Sequence, residues 1–217
     1  MGARTVTQTS RLIVEGGDDL FSVVGLMRAH VTWPQDRSLA PVWVEIGKGV
    51  TEILAPAYLT TLLKSPEIQT LGVMLDADEQ PSDRYSTLKK VCTSLFPSLP
   101  IELPLSGVVV ENEGKRLGFW IMPDNRSEGC LETFLRYLVP GTSEPVWQHA
   151  VEATSKARSV GASFRDSHVA KAHLYTWLAW QDPPGQSPGI ALTKKILDPH
   201  SETADPFVGW FRKLYQL

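Results

Sequence analysis

Acidic residues gather at three comparable places in the chain. They are Glu15 with Asp18 and Asp19, Asp76 with Asp78, and Asp124 with Glu128 and Glu132. Each group lies just past an apolar, β-branched run, at 11–15, 70–75 and 117–122. Glu15 ends its run and precedes Gly16-Gly17, which holds its carboxylate near a sheet edge. Side chains alternate along an extended segment, so Asp76 and Asp78 are expected on one face. Ligand sites in open α/β sheets form outside the carboxyl ends of the strands, where these acids would converge. Converging carboxylates repel one another, and a hard divalent cation relieves the repulsion. Mg²⁺ suits such a site because it takes oxygen ligands, and Mn²⁺ is the alternative. Taken singly, Asp19 and Asp124 read equally well as helix caps, and Glu128 as a partner of a helix dipole.

Lys171 is the basic residue that could serve such a site. On a helix it shares a face with Leu174 and Leu178, which directs it partly inward. A lysine so placed needs an acidic or phosphate partner, or else it buries its stem and keeps its ammonium in water. His168 lies one turn away and His173 close by; both carry a weaker signal.

The elements that must position these residues follow from periodicity. The run 11–15 reads as a buried strand, followed by a helix carrying Leu20, Val23, Val24 and Met27. A second strand, 42–46, closes on Gly47-Lys48-Gly49, and a helix then runs to about Lys64 with a bend or break near Pro56. The third strand, 70–75, leads to a helix with Leu88, Val91, Cys92 and Leu95. Segments 108–110 and 117–122 flank the polar turn Asn112-Glu113-Gly114-Lys115 and read as a hairpin. A helix with Leu131, Phe134, Leu135 and Leu138 follows, and helices are predicted near 145–158, 167–180, 190–197 and 205–216. The fold class is therefore α/β, a mainly parallel sheet flanked by helices, with an antiparallel hairpin and a helical C-terminal part. The expected organisation is a flexible tail over 1–10, an α/β core over 11–140 and a helical extension over 141–217 packed on that core.

Composition narrows the function. Of 217 residues, 42% are hydrophobic and 21% charged, which fits a globular protein rather than a disordered polymer or disulfide scaffold. The net charge of −3 excludes a strongly basic nucleic-acid coat, although not a local basic groove. Two cysteines without metal-ligand spacing, no signal-peptide pattern and no membrane-length apolar run lead to the expectation of a cytoplasmic protein. Gly47-Lys48-Gly49 lacks the upstream glycine and the following Ser or Thr of a P-loop, and no dinucleotide, zinc or nucleophile-elbow pattern is present. Trp177, Trp180, Trp210 and Phe211 read as packing rather than as a base-stacking platform.

Val14-Glu15-Gly16-Gly17-Asp18-Asp19 before a hydrophobic helix resembles the first motif of Toprim domains, and Leu75-Asp76-Ala77-Asp78 resembles their Asp-x-Asp motif. The turn Gly47-Lys48-Gly49 also suits that pattern. Phe119-Trp120-Ile121-Met122-Pro123-Asp124-Asn125, with Gly129-Cys130-Leu131-Glu132, is similar to the DUF3226 family of small bacterial proteins, related to Toprim nucleases of the OLD (overcoming lysogenisation defect) type. The Toprim resemblance covers about residues 10 to 125. It implies Mg²⁺-dependent hydrolysis of DNA or RNA, with Glu15, Asp19, Asp76 and Asp78 at one or two metals. It further implies that Glu132 completes a second metal site and that Lys171 neutralises charge on the phosphate. OLD-type proteins often carry a serine where this chain has Cys130. They are also coupled to an ATPase of the ABC class, which here would be a separate polypeptide because the chain has no P-loop. A homodimer stays open. The alternatives are a non-catalytic, metal-dependent nucleic-acid-binding or regulatory subunit, and another phosphoryl-transfer enzyme with a nucleotide substrate.

Overall fold

The computed structural model describes residues 8–217. Most of the tail expected over 1–10 lies outside the described residues, and Ser10 already belongs to the first strand. Five strands form one sheet: β1 (Ser10–Val14), β2 (Trp43–Ile46), β3 (Thr70–Asp76), β4 (Val108–Asn112) and β5 (Lys115–Met122). Their order is β2-β1-β3-β5-β4. β1 runs parallel to β2 and β3, β5 runs parallel to β3, and β4 is antiparallel to β5. The fold is thus α/β with a mainly parallel sheet and one antiparallel pair, as the periodicity predicts. The hairpin strands are longer than expected. Glu113 and Gly114 both take positive φ, 50° and 75°, which gives a two-residue turn that lets pairing continue to Asn112 and Lys115.

Alternation within the strands builds two cores. Leu12, Val14, Met74, Trp120 and Met122 point to one face, and Ile13, Val73, Leu75, Phe119 and Ile121 to the other. That is why β1 and β3 read as unbroken apolar runs: both of their faces are covered. On the first face lies α1 (Gly17–Met27), and on the second lie α2 (Val50–Ile53), α3 (Pro56–Lys64) and α4 (Pro81–Cys92). The expected break falls at Pro56, which opens α3, where its missing N–H costs no helical bond.

The rest of the chain covers the first face. It forms α5 (Leu131–Arg136), α6 (Glu144–Ser159), α7 (Val169–Ala179), α8 (Pro188–Thr193) and α9 (Asp205–Tyr215). Trp177, Phe207, Trp210 and Phe211 are buried in the same cluster as Leu12 and Trp120, so residues 141–217 share a core with the sheet. Trp180 departs from the packing expectation: it is 45% exposed and stacks on His149. α9 lies close against the sheet because Gly72 has no side chain. A Cβ there would stand 2.3 Å from the Tyr215 hydroxyl, which instead donates to the Arg11 carbonyl at 2.8 Å. Among the described residues, no helix is long and apolar enough to cross a membrane.

Because α1 leaves β1 on one face and α4 leaves β3 on the other, a crevice opens between the carboxyl ends of β1 and β3.

Candidate functional site

That crevice is acidic. Glu15 follows β1, and its Oε1 accepts a hydrogen bond from the Asp76 backbone N–H at 2.8 Å, which ties the ends of β1 and β3 together. Asp76 closes β3, and its Oδ1 accepts from Leu131 N–H, the first residue of α5, at 2.9 Å. Asp19 sits in the first turn of α1 and accepts from Gly16 N–H at 2.9 Å. Glu132 enters from the first turn of α5. Asp19 and Glu132 are each only 8% exposed. Asp19, Asp76, Asp78, Glu132, Asp18 and Lys171 border a common cavity of about 430 Å³.

The electrostatics follow from crowding and burial. Burial raises the Glu15 carboxyl above its usual range. Burial, reinforced by Glu15 and Glu132, pushes Asp19 up to about 7. Burial, with Asp19, Glu15 and Glu132 as negative neighbours, pushes Asp76 up to about 8. The cavity thus gathers five acidic side chains around a single lysine, and burial and crowding keep some of them protonated near neutral pH. Lys171 reaches it from α7: its Nζ stands 3.2 Å from Glu132 Oε1 and 3.2 Å from Asp18 Oδ2. Partial burial works against the ammonium, yet Glu132 and Asp18 outweigh it and hold the lysine protonated above its usual range.

Asp78 borders the cavity in a different way. Its φ is +54°, and it forms an antiparallel bridge to Gly129, so the extended alternation expected across 76–78 ends at Asp76. Its carboxylate is 63% exposed and pairs with Arg84, whose Nε also donates to the Asp76 carbonyl at 3.2 Å. From the third acidic group only Glu132 arrives. Asp124 staples its own loop, accepting from Arg126 N–H at 3.0 Å and Ser127 N–H at 2.7 Å. Glu128 is exposed and does not border the cavity.

Tyr175 is a participant that the sequence reading does not single out. The Tyr175 hydroxyl donates to Asp18 Oδ2 at 2.9 Å, so Tyr175 and Lys171 grip one carboxylate from the same face of α7. Their i, i+4 spacing was a legible signal. Cys130 stands at the position where the resemblance expects serine, and its thiol donates to Glu132 Oε2 at 3.1 Å. Burial and the Glu132 charge push that thiol up to about 12, so it stays a donor. His168 borders the cavity, whereas His173 packs edge-on against Trp147. Among the described residues, no three His, Cys, Asp or Glu side chains are already gathered closely enough to hold a metal ion.

Fold and site together define an α/β protein with an acidic, lysine-bearing crevice at the carboxyl ends of its parallel strands β1 and β3. A family model described as a protein of unknown function, DUF3226, matches residues 9–216, and the chain belongs to that family. No curated protein and no solved structure matches it.

Proposed function

We propose that the chain hydrolyses phosphodiesters of DNA or RNA with Mg²⁺ or Mn²⁺, in the manner of Toprim nucleases of the OLD type. The observation that carries this reading is the Lys171 ammonium, delivered by α7 to within 3.2 Å of Glu132 and of Asp18, beside the buried Asp19 and the half-buried Asp76. An acid cluster facing one lysine across an open cavity has the parts that phosphoryl chemistry uses: oxygen donors, and a cation for the charge that develops on phosphate.

The donor chemistry is that of a hard divalent cation, and the side chains would have to draw together to bind one. The donors are carboxyl oxygens, and burial with negative neighbours makes Asp19 and Asp76 hold protons more tightly than free carboxyls, protons that a bound cation would displace. Asp19, Asp76 and Glu132, which border the cavity, would hold the ion, with Asp78 at the rim and Glu15 behind them, tied to the Asp76 N–H. When bound, it would supply an activated water and stabilise the leaving oxygen. The chain's own residues do the positioning. Asp18 and Glu132 hold Lys171 across the cavity, Tyr175 fixes Asp18, and the Cys130 thiol orients Glu132. Lys171 can then exchange a carboxylate for a phosphate oxygen without leaving its place.

One observation favours a second reading. Glu15, Asp19 and Asp76 each accept a backbone N–H, so they also tie β1 to β3, cap the start of α1 and tie β3 to α5. A non-catalytic, metal-dependent nucleic-acid-binding or regulatory subunit would use them so. A separate ABC-class ATPase, a homodimeric state and a cytoplasmic location extend the proposal and rest on the OLD resemblance and composition.

The test is cleavage of labelled single-stranded and duplex DNA and of RNA, in Mg²⁺, in Mn²⁺ and in chelator. Metal-dependent cleavage should be lost in Asp76→Asn and fall roughly 10²–10³-fold in Lys171→Met, the cost of removing one transition-state donor. Substrates left intact by the folded parent in both metals would reject hydrolysis in favour of the binding reading.

A further inference from the structure

We infer that a groove along α4 is a track for nucleic-acid backbone phosphates leading into the acidic crevice. The inference rests on the phosphodiester reading and gives that site a substrate-holding surface. Its starting point is an electrostatic difficulty. The chain is net acidic, and the crevice concentrates carboxylates, so a polyanion approaching it is repelled unless cations hold it close by.

The groove has a volume of about 690 Å³ and lies between α4, residues 101–103 and residues 125–126. Along α4 its lining positions are 81, 85 and 89, continued by 93 just past the helix end, with 82, 86 and 90 beside them. These are two i, i+4 rows, so they form one continuous stripe on the helix. At about 1.5 Å per residue the stripe runs roughly 18 Å, the length of about five base-pair steps. Lys89, Lys90 and Arg126 line it against a single acid, Glu102. Lys89 is steadied by the Ile101 carbonyl at 3.3 Å. Lys90 and Arg126 are exposed, and neither has an ion-pair partner among the described residues. The exposed hydroxyls of Ser82 and Ser86 lie on the same stripe. Lysine, arginine and hydroxyl donors are the groups that contact phosphate without reading base sequence.

Position links the groove to the chemistry. Its lining includes Gln80 and Pro81, which follow the Asp76–Asp78 segment after Glu79, and Asn125 and Arg126, which follow β5. Arg84, on the same helix, bridges the Asp76 carbonyl and the Asp78 carboxylate at the boundary between groove and crevice. A strand lying along α4 therefore meets the acidic site at the helix's N-terminal end.

The test separates binding from cleavage. Affinity for fluorescent single-stranded DNA, single-stranded RNA and duplex DNA is measured by anisotropy in chelator, between about 50 and 200 mM salt. The proteins are the parent, Lys90→Gln, Arg126→Gln, the double variant, and Lys156→Gln, a control at an exposed residue of α6. Each groove substitution should weaken binding roughly tenfold at low salt and lower the slope of log K against log salt by about 1, and the double variant by about 2. The control should match the parent, and the tightest-bound of the three polymers identifies the substrate. A parent that binds none of them, a double variant with the parental slope, or a control that falls equally would overturn the inference. Cleavage of bis(p-nitrophenyl) phosphate, too small to reach the groove, reports on the crevice alone. Parental hydrolysis of that diester with an unchanged salt slope would sink the groove and spare the hydrolase reading. A lowered slope with no hydrolysis of any diester would do the reverse.

Discussion

Asp76→Asn should stabilise the metal-free protein at pH 8 and leave it nearly level at pH 4. Asp76 is half-buried beside Asp19, Glu15 and Glu132, and its carboxyl is raised from 3.8 to about 8. The folded state therefore binds this proton more tightly than the unfolded chain does. Stability from this group is fully present below the unfolded value, falls as pH rises through the interval from 3.8 to about 8, and levels off above it. Roughly four pH units at about 1.4 kcal/mol each set an upper bound near 6 kcal/mol. The neighbouring carboxyls share protons with Asp76, so removing one acid relieves only part of that cost. Asparagine also keeps an acceptor for Leu131 N–H but loses about 1 kcal/mol of charge assistance. A net gain of about 1–3 kcal/mol at pH 8 remains, a rise in Tm of about 2–4 °C for each kcal/mol in a chain of this size. Thermal unfolding of parent and variant in chelator from pH 4 to pH 8.5 measures it. A parent whose Tm does not fall over that range, or a variant less stable than the parent at pH 8, would show that Asp76 serves mainly as the anchor of α5.

Adding Mg²⁺ at pH 8 should raise the parent's Tm, by about 2.7 kcal/mol of stability at a hundredfold excess over Kd, and should raise Asp76→Asn far less; calorimetry of both checks this. Lys171→Met leaves the buried Glu132 carboxylate without its cation, so the apo protein should lose about 1–3 kcal/mol in urea unfolding, and Glu132→Gln in the same chain should restore most of it. Gly72→Ala should cost about 1–3 kcal/mol, because the new methyl meets the Tyr215 hydroxyl and must push α9 off the sheet; urea unfolding of parent and variant measures it.

Much of this protein is legible along the chain. The strands announce themselves as apolar runs because β1 and β3 are buried on both faces, and the hairpin does so through Glu113-Gly114 at its turn. Glu15, Asp19 and Asp76 stand out because strand ends and helix starts are local features, and an acid just past an apolar run is visible without any contact map. Lys171 was selected by its inward-facing helical position, and Pro56 by its lack of an N–H.

Tertiary structure decided which of these acids meet. Asp124 and Glu128 have the same sequence signature as Asp18 and Asp19, yet Asp124 turns back on its own loop while Asp18 reaches Lys171. Asp78 looks like the partner of Asp76, but a bridge to Gly129 puts it in the left-handed region and Arg84 claims its carboxylate. Tyr175 meets Asp18 across 157 positions of chain, and α9 reaches β3 only because Gly72 leaves room for Tyr215. Such pairings depend on how helices far apart in sequence pack over a shared face. Periodicity records which side of an element is buried, but the same apolar stripe fits many neighbours, and packing alone selects one.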